Sequence, residues 1–273
     1  MVTNVVVVTN VITVTKVVTI TNVVTLTNAS ALAGARVGTN APSAKAAVIV
    51  TNRWQNSVTL GLTLARGNSD TTLASLSESS ERSWARSRLN FGGDVLYGES
   101  KAQGATTSTE TAESMHGFAQ YNRILTPRSY AYGRVDALHD GIADIQYRLN
   151  LAPGLGYYFL TNKTADLSVE LGPGCVFEKL DGSYREFASL RLAQRFHYRF
   201  NEHSRLWQTV EFIPSLNEFN DYVMTAELGL EAGLSKNNRL SLRTVLRDSY
   251  NNVPAAERLK NDLKLITGIN YKF

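Results

Sequence analysis

The four histidines of this 273-residue chain are the side chains best suited to move a proton near neutral pH. His139 stands beside Asp140, on the face that also carries Ala131, Gly133, Val135 and Ala137. A hydrolase would need a serine within hydrogen-bond reach of that base and a third group to orient it. No serine has a recognisable spacing to His139, so an enzyme is not expected, and a lipid hydrolase remains only an alternative. His197 falls among arginines, His203 falls in a short turn, and the two faces of the segment around His116 cannot be told apart. HDGIAD at 139–144 offers two carboxylates, Asp140 and Asp144, against the six to eight oxygens that calcium takes. A polar turn is the simpler reading. Cys175 is the single cysteine, so neither an intrachain disulfide nor a cysteine-based zinc site can form. Nothing implies a cofactor.

The remaining chemistry is electrostatic. Arg148, Arg191, Arg195, Arg243 and Arg247 alternate with apolar residues, and so do Glu170, Glu178, Glu211, Glu227 and Glu231. Side chains two apart share one face of a strand. Opposite charges gathered on one face can pair across strands, or can line a narrow channel and select a small charged solute. Arg148, Arg191, Arg195, Glu227, Glu231, Arg243 and Arg247 are therefore the candidate binding residues.

Such a face needs strands to carry it, and from Trp54 onward the chain divides into twelve alternating segments. They span 54–66, 71–82, 86–100, 112–125, 129–140, 144–160, 165–179, 184–200, 204–217, 221–235, 239–250 and 258–273. GNSD, LTPR, NKT, DGS, NEHS and SKNN between them have the turn chemistry of hairpins. Met224, Ala226, Leu228, Leu230, Ala232 and Leu234 alternate with Thr225, Glu227, Gly229, Glu231 and Gly233, one face apolar and the other polar. A soluble β-sandwich or barrel acting as a binding module would alternate likewise. Yet the segments are long for a sandwich and suit tilted strands that cross lipid. Aromatics also gather near segment ends, as an interfacial girdle would.

Composition narrows the classes further. Hydrophobic residues make up 43%, but no run of about 18 to 20 apolar residues exists, so any crossing must be made by strands. Net charge is +4, from 28 basic and 24 acidic side chains mixed along the chain. No basic block stands out, and nucleic acid is not an expected partner. Residues 1–28 form a Val-Thr-Asn hexapeptide repeat, and 29–53 read as a small-residue linker. Met1 to Val8 carries no charge, so no secretory leader is evident there.

The chain closes on LITGINYKF, in which Leu265, Ile269, Tyr271 and Phe273 share a face. A last strand of this kind can close a barrel against the first, leaving no edge unpaired in lipid. With strand one starting on the periplasmic side, LTPR, NKT, NEHS and SKNN become short inward turns, and the long connections 101–111 and 251–257 face outward. The expected fold is all-β: an antiparallel up-and-down transmembrane barrel of about twelve strands over 54–273.

YGES at 97–100, YNRILTPRSYAY at 121–132, YRLNLAPGLGYYF at 147–159, ELGPG at 170–174 and PSLNEFNDY at 214–222, with the NDLKLITGINYKF ending, set an order and spacing. On these pieces, and GNS at 67–69, residues from about Trp54 to Phe273 resemble the family of salt-induced outer-membrane proteins, β-barrels without an established function. The resemblance implies a bacterial outer membrane and a role in envelope integrity or osmotic and salt adaptation. Partners would be outer-membrane lipid, lipopolysaccharide and the barrel assembly machinery, which would read Leu265, Ile269, Tyr271 and Phe273 as an assembly signal. The family offers no catalytic residue.

Overall fold

The computed structural model describes residues 53–65, 69–102 and 105–273, so the hexapeptide repeat and the linker ahead of residue 53 lie outside the described residues. Twelve strands follow: β1 (Trp54–Ala65), β2 (Ser69–Ser83), β3 (Ser87–Ala102), β4 (Thr109–Ile124), β5 (Ser129–Asp140) and β6 (Ile145–Thr161). The second half comprises β7 (Ala165–Leu180), β8 (Ser183–Arg199), β9 (Ser204–Pro214), β10 (Tyr222–Gly233), β11 (Leu240–Asn251) and β12 (Asn261–Lys272). Each pairs with its sequence neighbours, and β12 returns to β1, closing the barrel. Three expected limits shift by three residues, and the segment expected from 112 begins at Thr109. The segment expected to reach 217 ends at Pro214, where Ser215 N donates to Asp221 O at 2.8 Å and starts a loop. The segment expected from 258 begins at Asn261, because 252–260 is irregular.

The apolar faces point outward. Leu60, Leu155 and Leu265 are each more than 60% exposed, and Leu76, Leu171, Leu192, Leu228 and Leu246 lie on the same outer surface. This overturns the sandwich alternative, in which those leucines would form the core. Inside, the largest fully buried side chains are Arg191, Gln120, Glu170, Glu178 and Asn270, the inverse of a water-soluble domain. Aromatic pairs ring the outer surface at the end that carries Trp54 and Phe273, here the proximal end. They are Trp54 with Phe91, Tyr157 with Phe159, Tyr198 with Phe200, and Tyr271 with Phe273, at centroid separations of 5.6, 5.1, 5.0 and 6.0 Å. Tyr97, Tyr147, Tyr184, Tyr222 and Tyr250 lie toward the other, distal end. Two aromatic girdles around an aliphatic belt match the two interfaces of a bilayer. The loops at 215–221 and 252–260 are both distal, as is 105–108.

Within the wall, β6 and β7 lose their ladder locally. Partner residues run to Leu151 and Cys175, and resume at Leu155 and Leu171. Pro153 and Pro173 occupy the gap and have no N–H to give. A Cβ on Gly172 would lie 2.0 Å from Pro153 O, so glycine is what lets the two strands stay close there.

The closing seam is short: β1 and β12 are partners from Ser57 with Lys272 to Leu60 with Ile269. Phe273 extends it, its N–H donating to Asn56 O at 3.1 Å and its O accepting from Asn56 N at 3.3 Å. Leu265, Ile269, Tyr271 and Phe273 are exposed on the outer surface, and on the inner one Thr59 Oγ1 donates to Asn270 Oδ1 at 3.0 Å. Gly268 abuts this seam, and a Cβ there would lie 2.5 Å from Leu60 O and 3.0 Å from Gly61 N. Backbone atoms cannot step aside, so Gly268→Val is expected to remove most of the heat-modifiable, compact species seen on unboiled gels. Gly133→Ala, where a Cβ meets nothing within 4 Å, should leave that species unchanged.

Candidate functional site: the charged lumen

Alternation turns each strand's polar set inward, and the seven candidate residues lie on the inner surface in a stack of charge clusters. Toward the distal end, Glu178 accepts from Arg148 Nε at 2.6 Å and from Arg185, whose Nη1 reaches Asp221 Oδ2 at 3.1 Å. Asp221 ends the loop at 215–221. Burial pushes its carboxyl pKa up, against the pull of Arg185. Next, Glu170 accepts from Gln120 Nε2 at 2.7 Å, Tyr130 OH at 2.9 Å, Arg191 Nη1 at 2.9 Å and Arg195 Nη2 at 3.3 Å. Arg191, with no exposed surface, also reaches Glu211 Oε2 at 2.6 Å. A carboxylate and a guanidinium so enclosed hold their charges only because each satisfies the other.

The third cluster crosses the lumen. Arg247 on β11 donates to Asp94 on β3 at 3.0 Å and to Glu227 on β10 at 3.0 Å. β3 and β11 are not neighbours in the sheet, so this pair is a strut rather than a ladder contact. His116 Nδ1 lies 3.3 Å from Asp94, and its Nε2 lies 3.6 Å from Asp136, which also holds Arg134 Nε at 2.7 Å. Nearest the proximal opening, Glu231 accepts from Arg205 Nη2 at 2.7 Å, from Ser241 Oγ at 3.1 Å and from Lys272. Arg243 differs from the other four arginines singled out in the sequence: among the described residues it has no carboxylate partner, and its guanidinium sits 4.6 Å from the Trp207 ring centroid.

The distal mouth is capped. Ala255, in the loop between β11 and β12, is buried against Ile145 and Leu180, with Leu138 and Ala143 beside them. Arg258 Nε donates to Asp144 Oδ2 at 2.6 Å, a bond that raises the pKa of the Arg258 guanidinium. Lys264 Nζ reaches Asp140 Oδ2 at 3.2 Å. The hairpin of β5 and β6 lies opposite that of β11 and β12 in the ring, so these contacts span the opening.

Those bonds also bear on the alternatives. Both carboxylates of HDGIAD face cations, and Asp140 further accepts from Ala143 N at 2.9 Å. His139 donates from Nδ1 to the Gln146 carbonyl at 2.9 Å, while Asp140 turns into the lumen and cannot orient it. Cys175 is exposed on the outer surface. Sequence reasoning did not find Asp94, His116, Gln120, Tyr130 or Trp207 as lumen partners. The signal for Trp207 was its place between Arg205 and Thr209 on the inward register, away from the girdles.

Residues 58–273 match the family model described as "Protein of unknown function, DUF481". The chain belongs to this family. No curated protein is significantly similar to this DUF481 chain in sequence. Among solved structures, the NanC porin is 7% identical with a TM-score of 0.48, over 80% of this chain and 100% of that one. An outer membrane channel from Pseudomonas putida F1 is 12% identical with a TM-score of 0.47, over 81% of this chain and 95% of that one. The translocator domain of the autotransporter NalP from Neisseria meningitidis is 12% identical with a TM-score of 0.41, over 81% and 87%.

The Glu170 cluster makes a sharp stability prediction. Glu170→Ala removes the carboxylate that Gln120, Tyr130, Arg191 and Arg195 share and leaves Arg191 enclosed with Glu211 alone. The expected loss is about 3–5 kcal/mol, the usual cost of breaking one side of a buried pair. It should appear as a lower urea midpoint for refolding in detergent. A shift no larger than that of an exposed lipid-face substitution such as Leu155→Ala would show that the cluster contributes little.

Proposed function

We propose that this DUF481 protein is a non-enzymatic outer-membrane β-barrel of a diderm bacterium that forms a narrow channel, closed in the form described. The proximal end, with its short turns, faces the periplasm, and the distal loops face outward. The observation that carries this reading is the Arg247–Asp94 strut, which joins walls four strands apart where an open porin would hold water. A twelve-stranded barrel is wide enough to need such filling and too small for the lumen of a sixteen-stranded porin. Passage would therefore depend on the ion pairs rearranging. Leu265, Ile269, Tyr271 and Phe273 serve in this reading as the signal to the barrel assembly machinery, and lipid and lipopolysaccharide contact the outer belt. The role in envelope integrity or osmotic and salt adaptation belongs to the same proposal and rests on the family resemblance alone.

Planar-bilayer recording of the purified full chain tests it. Wild-type protein is expected to show small, infrequent conductance steps. Arg247→Ala is expected to raise step size severalfold and favour cations, because Asp94 and Glu227 lose a shared guanidinium. Gel mobility before and after boiling confirms that the variant is folded. If neither protein conducts while both are folded barrels in the bilayer, the channel reading fails and the lumen charges are structural packing.

A further inference from the structure

Arg243 poses a problem that Arg148, Arg191, Arg195 and Arg247, each paired with a carboxylate, do not. On the paired strand its cross-strand partner is Glu231, yet Glu231 is engaged with Arg205, Lys272 and Ser241. Glu227, the next carboxylate on β10, is held by Arg247 and by Trp207 Nε1 at 2.8 Å. Arg243 is left against the Trp207 ring with its buried Nε unbonded among the described residues. A guanidinium cannot discard its charge, so an unpaired one in a partly dehydrated lumen favours an anion from solution.

The surroundings are built to hold it there. Trp207 lies across Gly229, where a Cβ would come within 2.0 Å of the indole. That missing Cβ lets the indole reach Arg243, while Arg205 approaches the same ring at 5.7 Å. On the proximal side of Arg243, a cavity of about 140 Å³ is lined by Arg199, Arg205, Lys272, His203, Ser241 and Glu231, among others. Arg199, Arg205 and Lys272 therefore line the way from the opening toward Arg243, with Glu202 and Glu231 beside them.

We propose that this proximal part of the lumen is a binding site for a small oxyanion of the sulfate or phosphate class, with Arg243 and Lys272 as its principal ligands. The fork of donors on Arg243 suits two oxygens of one tetrahedral anion, which chloride cannot satisfy. The site deepens the channel reading by naming a solute, but binding in detergent requires no conduction. A barrel that bound the anion without conducting would sink the channel and keep the site.

Trp207 supplies the readout. In the full chain carrying Trp54→Phe and Trp84→Phe, it is the sole tryptophan. Titration with sodium sulfate and with sodium phosphate, against sodium chloride at matched ionic strength, is expected to give a saturable emission change only with the oxyanions. Arg243→Gln should weaken that binding at least tenfold. Should Arg243→Gln fail to give a heat-modifiable barrel, Lys272→Gln carries the same expectation. Identical, non-saturating responses to all three salts, or unchanged binding in the folded variant, would overturn the proposal.

Discussion

A sheet in hydrocarbon cannot leave its backbone N–H and C=O groups unpaired, and the rest of this structure depends on that constraint. Each orphaned group there costs several kcal/mol, so the sheet must close on itself. Closure brings β12 to β1 and sends alternate side chains to two opposite solvents. The outer set must then be apolar, which is why leucines that would serve as a core in a soluble protein stand exposed. The interruption at Pro153 and Pro173 shows how closely the rule is kept. Where two residues have no N–H, the ladder parts and glycines draw the strands together.

The inward set meets a different problem. A barrel of this size has too much interior for small side chains to fill and too little to hold bulk water around every charge. Glu170 is enclosed by four donors, and Arg191 is shared between two carboxylates. Such networks hold the walls at fixed spacing because a half-broken network costs more than an intact one. They also make the lumen a place where one rearranged pair frees a charge for a solute. Arg243 is already in that condition, and Arg247 with Asp94 would be if the strut opened.

Most of the scaffold was legible in the sequence because alternation is a local signal. Six of the eleven hairpins announced themselves through their own turns, and Arg191, Arg195, Arg243 and Arg247 declared the inner face of their strands. What stayed hidden is what the closed shape brings together. Asp94 and Arg247 are 153 residues apart, and no periodicity relates them. His116 was unreadable for a local reason. Phe118 shares its inward face, where it stacks on His116 at 6.1 Å and under Arg134 at 4.7 Å, so β4 shows apolar residues on both sides. The distal cap was missed because Ala255 in PAAER looks like any loop alanine until it meets Ile145 and Leu180.

The short seam between β1 and β12 has a consequence for how the molecule comes into being. Every other neighbouring pair of strands follows from a hairpin and can form as soon as that stretch of chain is present. The seam joins Thr59 to Asn270, 211 residues further on, and its last backbone bonds use Phe273 itself. Closing so long a loop carries an entropic cost that nearby contacts do not repay in advance. Until that residue is in place the sheet has two raw edges, and an open sheet is a template for any strand that passes. A sheet in which β12 has not yet met β1 is thus an adhesive ribbon, however many of its hairpins have already formed.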